Sequence, residues 1–116
     1  MTDHLIDVAA LEAALLTFAQ ERNWEQYHSP KNLVMALTGE VGELIEIFQW
    51  LTEDQSRTVA DDPRTARAVR DELADVLLYL VRLSSSLGVD LNEAVVSKIA
   101  ANAKKYPAGD SIPKRK

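Results

Sequence analysis

The chain has 116 residues, a formal net charge of −5 and no cysteine. This length fits one small domain, and a helical unit of this size buries only a modest core, so a partner chain would help to stabilise it. The lack of cysteine excludes disulfides and thiolate metal sites. The acidic balance argues against a general nucleic-acid-binding protein, which needs a basic face. No signal-peptide pattern and no apolar run of about 18 residues is present, so we expect a cytoplasmic protein without a membrane partner.

The first half of the chain is predicted to form two helices. The first runs from about residue 5 to 22, on apolar residues spaced three and four apart. Residues 23–28 interrupt it. Ser29 and Pro30 then start a second helix, which extends to about residue 51, because serine caps a helix and proline is tolerated at its first position.

The middle of the chain contains a polar segment followed by a third helix. Residues 52–61 are polar and are predicted to form a loop. Asp62 and Pro63 repeat the cap-and-proline signal and are predicted to start the third helix. Gly88 is predicted to end that helix as its C-terminal cap.

The fourth helix is predicted to start at a capping box formed by Asp90 and Glu93 and to end before Pro107. Residues 108–116 are expected to form a mobile polar tail. Since no strand-like alternation occurs, the predicted fold is all-α, with a four-helix bundle-like subunit.

The second and third helices each carry two acids three residues apart, Glu40 with Glu43 and Glu72 with Asp75. Residues at this spacing are neighbours on one helix face. On a wheel of about 100° per residue, the first acid of each pair falls within the apolar arc of its helix and the second lies on its flank. Glu46, by contrast, points towards solvent. The four acids are therefore expected to converge beside the core.

Converging carboxylates repel one another and are costly to desolvate, so they need a basic partner or a metal ion. The apolar faces of these two helices carry no basic residue. A single acidic pair of this spacing is usually a solvated face, but two pairs on apolar edges favour a divalent metal. All-carboxylate ligands suit Mg²⁺ or Mn²⁺. Iron and zinc are disfavoured, since His4 and His28 lie outside both helices.

Magnesium held by carboxylates typically serves substrate phosphates, and no glycine-rich phosphate loop is present. Other residues would complete a nucleotide site. The first candidates form a polar stripe on the fourth helix: Lys98, Asn102 and Lys105. The others are four residues with ring side chains at separate places in the sequence: Trp24, His28, Trp50 and Tyr79. Taken alone, the stripe is typical of a solvated helix face, and such aromatic residues more often cap a core or fill an oligomer interface.

Several segments together resemble the all-α MazG-like nucleotide pyrophosphohydrolases, most closely the dCTP pyrophosphatase branch. The matching segments are FAQERNWEQYH (18–28), NL (32–33), GEVGEL (39–44), FQW (48–50), ELADVLLYL (72–80) and KIAANAKKYP (98–107). The resemblance covers roughly residues 14–107 and assigns residues 1–107 to a MazG-like pyrophosphohydrolase domain.

The resemblance implies hydrolysis between the α- and β-phosphates of a nucleoside triphosphate, giving a monophosphate and pyrophosphate. The implied magnesium ligands and catalytic residues are Glu40, Glu43, Glu72 and Asp75, with Glu43 or Glu40 activating the water. The implied base and sugar pocket is Trp24, His28, Trp50 and Tyr79. The implied phosphate-binding residues, from the same or a neighbouring subunit, are Lys98, Asn102, Lys105 and Tyr106. Members of this family form homo-oligomers, with a tetramer favoured here over a dimer.

Two departures bear on the substrate. Leu15 stands where the nearest branch can carry a histidine, and the segment 52–62 is shorter than in eukaryotic members. The expected substrate is dCTP or a modified cytidine triphosphate. The alternatives are a relative with another or broader dNTP preference, and a non-catalytic helical oligomer.

Overall fold

A computed structural model describes residues 7–109 of the chain. In chain order the elements are α1 (Val8–Glu21), a 3-10 turn (Glu25–Tyr27), α2 (Pro30–Phe48), α3 (Glu53–Arg57), α4 (Ala66–Leu87) and α5 (Leu91–Lys105). This range contains no strand, which confirms the all-α prediction. The predicted helix start near residue 5 and most of the predicted tail lie outside the described residues.

Local capping explains where two of the predicted helices begin. The Ser29 hydroxyl accepts a hydrogen bond from the Asn32 N–H at 3.2 Å, with Pro30 at the first helical position. The Asp90 carboxylate accepts from the Glu93 N–H at 3.0 Å. The predicted capping box is only half formed, because the Glu93 carboxylate instead accepts from a serine hydroxyl one turn later, at 2.6 Å.

The prediction of a loop over residues 52–61 was wrong, since this segment contains α3. Thr52 accepts from the Gln55 N–H at 3.1 Å, and the Gln55 side chain accepts from the Thr52 N–H at 2.9 Å. These reciprocal bonds satisfy the donors at the helix start. The five residues of this helix are all polar and none is buried, so the sequence lacks the apolar periodicity by which a helix is recognised.

The fourth helix in chain order, α4, begins at Ala66 rather than at Asp62. The Asp62 carboxylate accepts from the Arg64 N–H at 2.9 Å, and the Thr65 hydroxyl donates to the Val59 carbonyl at 2.6 Å. These bonds hold residues 62–65 in a turn that precedes the helix. At the other end Gly88, with φ of 69°, adopts the left-handed conformation and ends α4 as predicted.

The long helices do not all pack together within one chain. Helix α2 lies along α4, and α1 packs on α4, whereas α5 makes only marginal contact with the other described helices. The radius of gyration is 17.1 Å, against about 13 Å for a compact domain of 100 residues. Within residues 7–109 the buried apolar residues are few: Val8, Ala19, Leu33, Val59, Val69 and Val81. The bundle in one chain is therefore three-helical, with α5 projecting from it.

Rows of large apolar side chains remain exposed on three helices. They are Val34, Val41 and Ile45 on α2, Leu73, Leu77 and Leu80 on α4, and Val96 and Ile99 on α5. Monomeric proteins seldom expose contiguous apolar patches of this kind. Over residues 7–109, none of the helices combines the length and apolar character required to cross a membrane.

Candidate active site

The packing of α2 along α4 brings three of the four predicted acids together. Carboxylate oxygens of Glu40, Glu43 and Glu72 all lie within 4.8 Å of one another. Glu40 and Glu72 are half-buried and Glu43 is exposed. This agrees with the helix-wheel prediction, which placed the first acid of each pair within an apolar arc and the second on its flank.

The electrostatics of this cluster favour a bound cation. Side-chain hydrogen bonds with Glu72 and then Glu43, together with desolvation, raise the pKa of Glu40 to about 8. Without a bound cation, the cluster therefore retains a proton at neutral pH, which offsets its own repulsion. The buried Oε1 atom of Glu72 has no hydrogen-bond partner among the described residues. Three carboxylates with one orphaned oxygen are a donor set that fits a hard divalent cation.

Asp75 follows Glu72 by one helical turn but does not belong to the group of mutually close carboxylates. It is half-buried and faces a neighbouring cavity instead. Asp75 thus stands between the glutamate cluster and that cavity, and its role as a metal ligand stays a prediction.

A cavity of about 250 Å³ lies beside the acids, between α1, α4 and the segment that joins α1 to α2. Its walls are mainly apolar and aromatic, and they comprise Leu15, Phe18, Ala19, Trp24, His28, Asp75, Leu78, Tyr79 and Arg82. Three rings form a row of edge-on contacts, with 5.6 Å between the ring centroids of Phe18 and Trp24 and 6.4 Å between those of Trp24 and His28. Walls that are mainly apolar and aromatic suit the binding of a nucleobase.

Three of the four predicted base-pocket residues, Trp24, His28 and Tyr79, line this cavity. The fourth, Trp50, is 86% exposed just beyond the end of α2 and is not part of the cavity wall. Sequence reasoning missed Arg82, although a signal existed. Arg82 follows Tyr79 by three residues and Asp75 by seven, which places all three on one face of α4.

The predicted phosphate-binding residues lie on α5 or just after it, away from the cavity of their own chain. They are Lys98, Asn102, Lys105 and Tyr106, and none of them lines the cavity. Lys105 and Tyr106 contact each other, with 5.4 Å between the Lys105 Nζ atom and the centroid of the Tyr106 ring. Because α5 barely contacts the other helices, a single chain does not place these residues in the cavity wall.

The sequence pattern of the MazG-like family matches residues 36–114, a range that includes the clustered glutamates and all of α4 and α5. The chain belongs to the MazG-like family. The match confirms the resemblance that the sequence motifs indicated.

Human dCTP pyrophosphatase 1 is 49% identical to this chain over 104 residues, and the mouse protein of the same name is 48% identical over 103. These matches cover 90% and 89% of this chain but 59% of each relative. The chain thus spans about three fifths of the length of these relatives. The crystal structure of a pyrophosphatase from Archaeoglobus fulgidus has a TM-score of 0.79 and 38% identity, covering 92% of this chain and 98% of that one.

Proposed function

We propose that this MazG-like chain is a Mg²⁺-dependent pyrophosphohydrolase that converts dCTP, or a modified cytidine triphosphate, to the monophosphate and pyrophosphate. The observation that carries the proposal is the convergence of three carboxylates beside an aromatic cavity. The identity to proteins named dCTP pyrophosphatase supports the choice of dCTP. Such an enzyme would remove unwanted nucleotides from the cytoplasmic pool.

The acids would bind the metal and accept a proton in the reaction. Glu40, Glu43, Glu72 and Asp75 would hold the metal; the orphaned oxygen of Glu72 supports this assignment. Bound Mg²⁺ would neutralise the charge of the polyphosphate and orient the attacking water. Glu43 or Glu40 would accept a proton from that water. The water oxygen would bond to one of the two phosphorus atoms as that atom's bond to the α–β bridging oxygen breaks, giving the monophosphate and pyrophosphate.

The cavity would hold the base and sugar. Trp24, His28 and Tyr79 would form the cavity wall within one chain, and Trp50 would cover the cavity on its solvent side. The remaining polar residues, Lys98, Asn102, Lys105 and Tyr106, would bind phosphate oxygens as donors. Since α5 projects from its own bundle, a neighbouring subunit is the natural source of these donors.

We therefore also propose a homo-oligomer, with a tetramer favoured over a dimer. The support is the exposed apolar rows of α2, α4 and α5, which exceed the small buried core of one chain. Burying such surface between copies stabilises both the assembly and the helices that carry it.

The activity is tested by following pyrophosphate release from dCTP. We expect turnover with Mg²⁺, lower or similar turnover with Mn²⁺, none with EDTA, and recovery when excess Mg²⁺ is returned. A panel of natural and 5-modified dNTPs separates a cytidine-selective enzyme from one of broader preference. Absence of turnover on the whole panel would instead favour a non-catalytic helical oligomer.

Trp24→Ala is expected to raise the KM for dCTP about tenfold and to change kcat little, because stacking on an aromatic ring contributes about 1–3 kcal/mol per base. Tyr27→Ala is the matched control, since Tyr27 is an exposed ring in the same segment and does not line the cavity. Steady-state kinetics check both variants. An unchanged KM in Trp24→Ala would assign this ring to packing against Phe18.

A further inference from the structure

The cavity wall includes a positively charged side chain that has no role in the proposed reaction. Arg82 is half-buried in the cavity wall, and its Nε atom donates a hydrogen bond to Nδ1 of His28 at 3.2 Å. Within residues 7–109, no carboxylate pairs with this guanidinium, and its two terminal amino groups have no protein acceptor. These unused donors are therefore available to a ligand in the cavity that supplies acceptors.

His28 fixes the direction of these unused donors. A nitrogen that accepts a hydrogen bond carries no proton, so Nδ1 of His28 is bare and the ring is neutral. Burial and the adjacent Arg82 charge lower the pKa of His28, with Glu25 opposing them. The histidine therefore remains an acceptor at neutral pH. Because Nε of Arg82 is held on one side, the terminal amino groups are left as a planar pair of donors.

Arg82 lies away from the acids, at which the metal and the phosphates would bind. Asp75 and Arg82 line the same cavity and are seven residues apart on α4. At 1.5 Å per residue, the helix rises roughly 10 Å between them. The glutamate cluster lies at the Asp75 end, since Glu72 precedes Asp75 by one turn. A nucleotide whose phosphates reach the acids would direct its base, and not its phosphates, towards Arg82.

We propose that Arg82, oriented by His28, binds the N3 and O2 atoms of cytosine and so selects dCTP over dUTP. This inference rests on the proposed function and adds the residue that sets base preference. Cytosine presents two adjacent acceptors, N3 and O2, which match the parallel donors of a guanidinium. Uracil and thymine carry a hydrogen on N3, which would oppose a guanidinium donor. Guanine also presents paired acceptors, but its bicyclic ring is larger than the pyrimidine ring.

The test compares dCTP with dUTP. Their bases differ only at N3, which Arg82 would bind, and at the neighbouring substituent on C4. We would measure kcat/KM for both in the wild type and in Arg82→Met, which keeps the side-chain length but removes all donors. The dCTP-to-dUTP ratio is expected to fall about 10- to 100-fold, the discrimination that one bidentate contact to a base provides. Arg70→Met is the matched control, since Arg70 is exposed on the same helix, and its ratio should equal that of the wild type.

His28→Phe tests the positioning role. This variant keeps a ring in the aromatic row but removes the acceptor for Arg82, so the ratio should fall in the same direction by a smaller factor. Binding of dCMP and dUMP without metal gives a second readout, in which Arg82→Met should lose the preference for dCMP.

The outcomes separate this inference from the proposed function. A wild type that releases no pyrophosphate from dCTP refutes the function. A wild type that prefers dCTP, with the preference unchanged in Arg82→Met, overturns only the inference. An equal loss of kcat/KM for both substrates would show that Arg82 does not discriminate between the bases, which also overturns it.

Discussion

Glu43→Gln is expected to abolish pyrophosphate release from dCTP while the helices stay folded. Glutamine keeps the size of the side chain but removes its negative charge, and a neutral amide is a weak magnesium ligand. Loss of residues that merely support metal ligands costs 10- to 100-fold, so loss of a ligand itself should lower kcat by more than about 100-fold. The measurement is pyrophosphate release at saturating dCTP and Mg²⁺.

The same variant should be at least as stable as the wild type when metal is absent. The pKa of Glu40 is raised from its ordinary value of 4.5 to about 8 by its acidic neighbours. A carboxyl whose pKa is raised on folding stabilises the fold fully below pH about 4.5, and this contribution is lost as the pH rises through about 8. Removing the charge of Glu43 relieves that repulsion, so thermal melting in EDTA should be compared at pH 8.

Glu46→Gln is the matched control for Glu43→Gln. Glu46 is exposed on the same helix, three residues further on, and lies outside the carboxylate group. Its variant makes the same change of charge and should keep full turnover. Retained activity in Glu43→Gln, or an earlier melt of its metal-free form than of the wild type, would contradict the proposed metal site.

The half of the site formed by the glutamates could be predicted from sequence because its determinants are local. Helical periodicity places Glu40 and Glu72 within the apolar arcs of their helices, and the structure finds both half-buried at the α2–α4 contact. The caps at Ser29 and Gly88 are likewise set by neighbouring residues and were predicted correctly. A pattern that repeats every three or four residues carries this information within one element.

The errors in the fold come from segments stabilised by polar bonds instead of apolar burial. The capping box of Thr52 and Gln55 is visible in sequence, but no apolar stripe follows it, so the segment was predicted as a loop. Asp62 resembles a helix cap, yet its carboxylate closes a turn onto Arg64, and α4 starts three residues after Pro63. Cap-and-proline signals serve turns as well as helices.

The other features that could not be predicted from sequence are contacts between distant parts of the chain. Arg82 and His28 are 54 residues apart, and no local pattern indicates that they meet. The amphipathic face of α5 predicts that this helix packs against something, but not whether the partner is its own chain. In the structure Val96 and Ile99 remain exposed on α5, so intrachain packing does not satisfy that face.

Leu73→Lys is expected to dissociate the assembly into smaller species. Leu73 is 55% exposed on α4 and belongs to an apolar row with Leu77 and Leu80. Burying a leucine side chain contributes about 1.5–3 kcal/mol, and in a symmetric assembly the loss is repeated in every copy. A lysine there would also place an ammonium group in the interface, where desolvation is costly. Light scattering after size-exclusion chromatography, over a range of protein concentrations, measures the mass.

Ala74→Lys is the control that isolates the effect of the apolar row. Ala74 is exposed next to Leu73, and both positions lie between Glu72 and Asp75, so the two variants add the same charge to the same turn of α4. Only Leu73→Lys should lower the mass, because Ala74 does not belong to the row. A monomeric wild type would refute the oligomer outright. If α5 supplies phosphate donors in trans, loss of assembly should also raise the KM for dCTP, since in one chain Lys98 and Asn102 do not line the cavity.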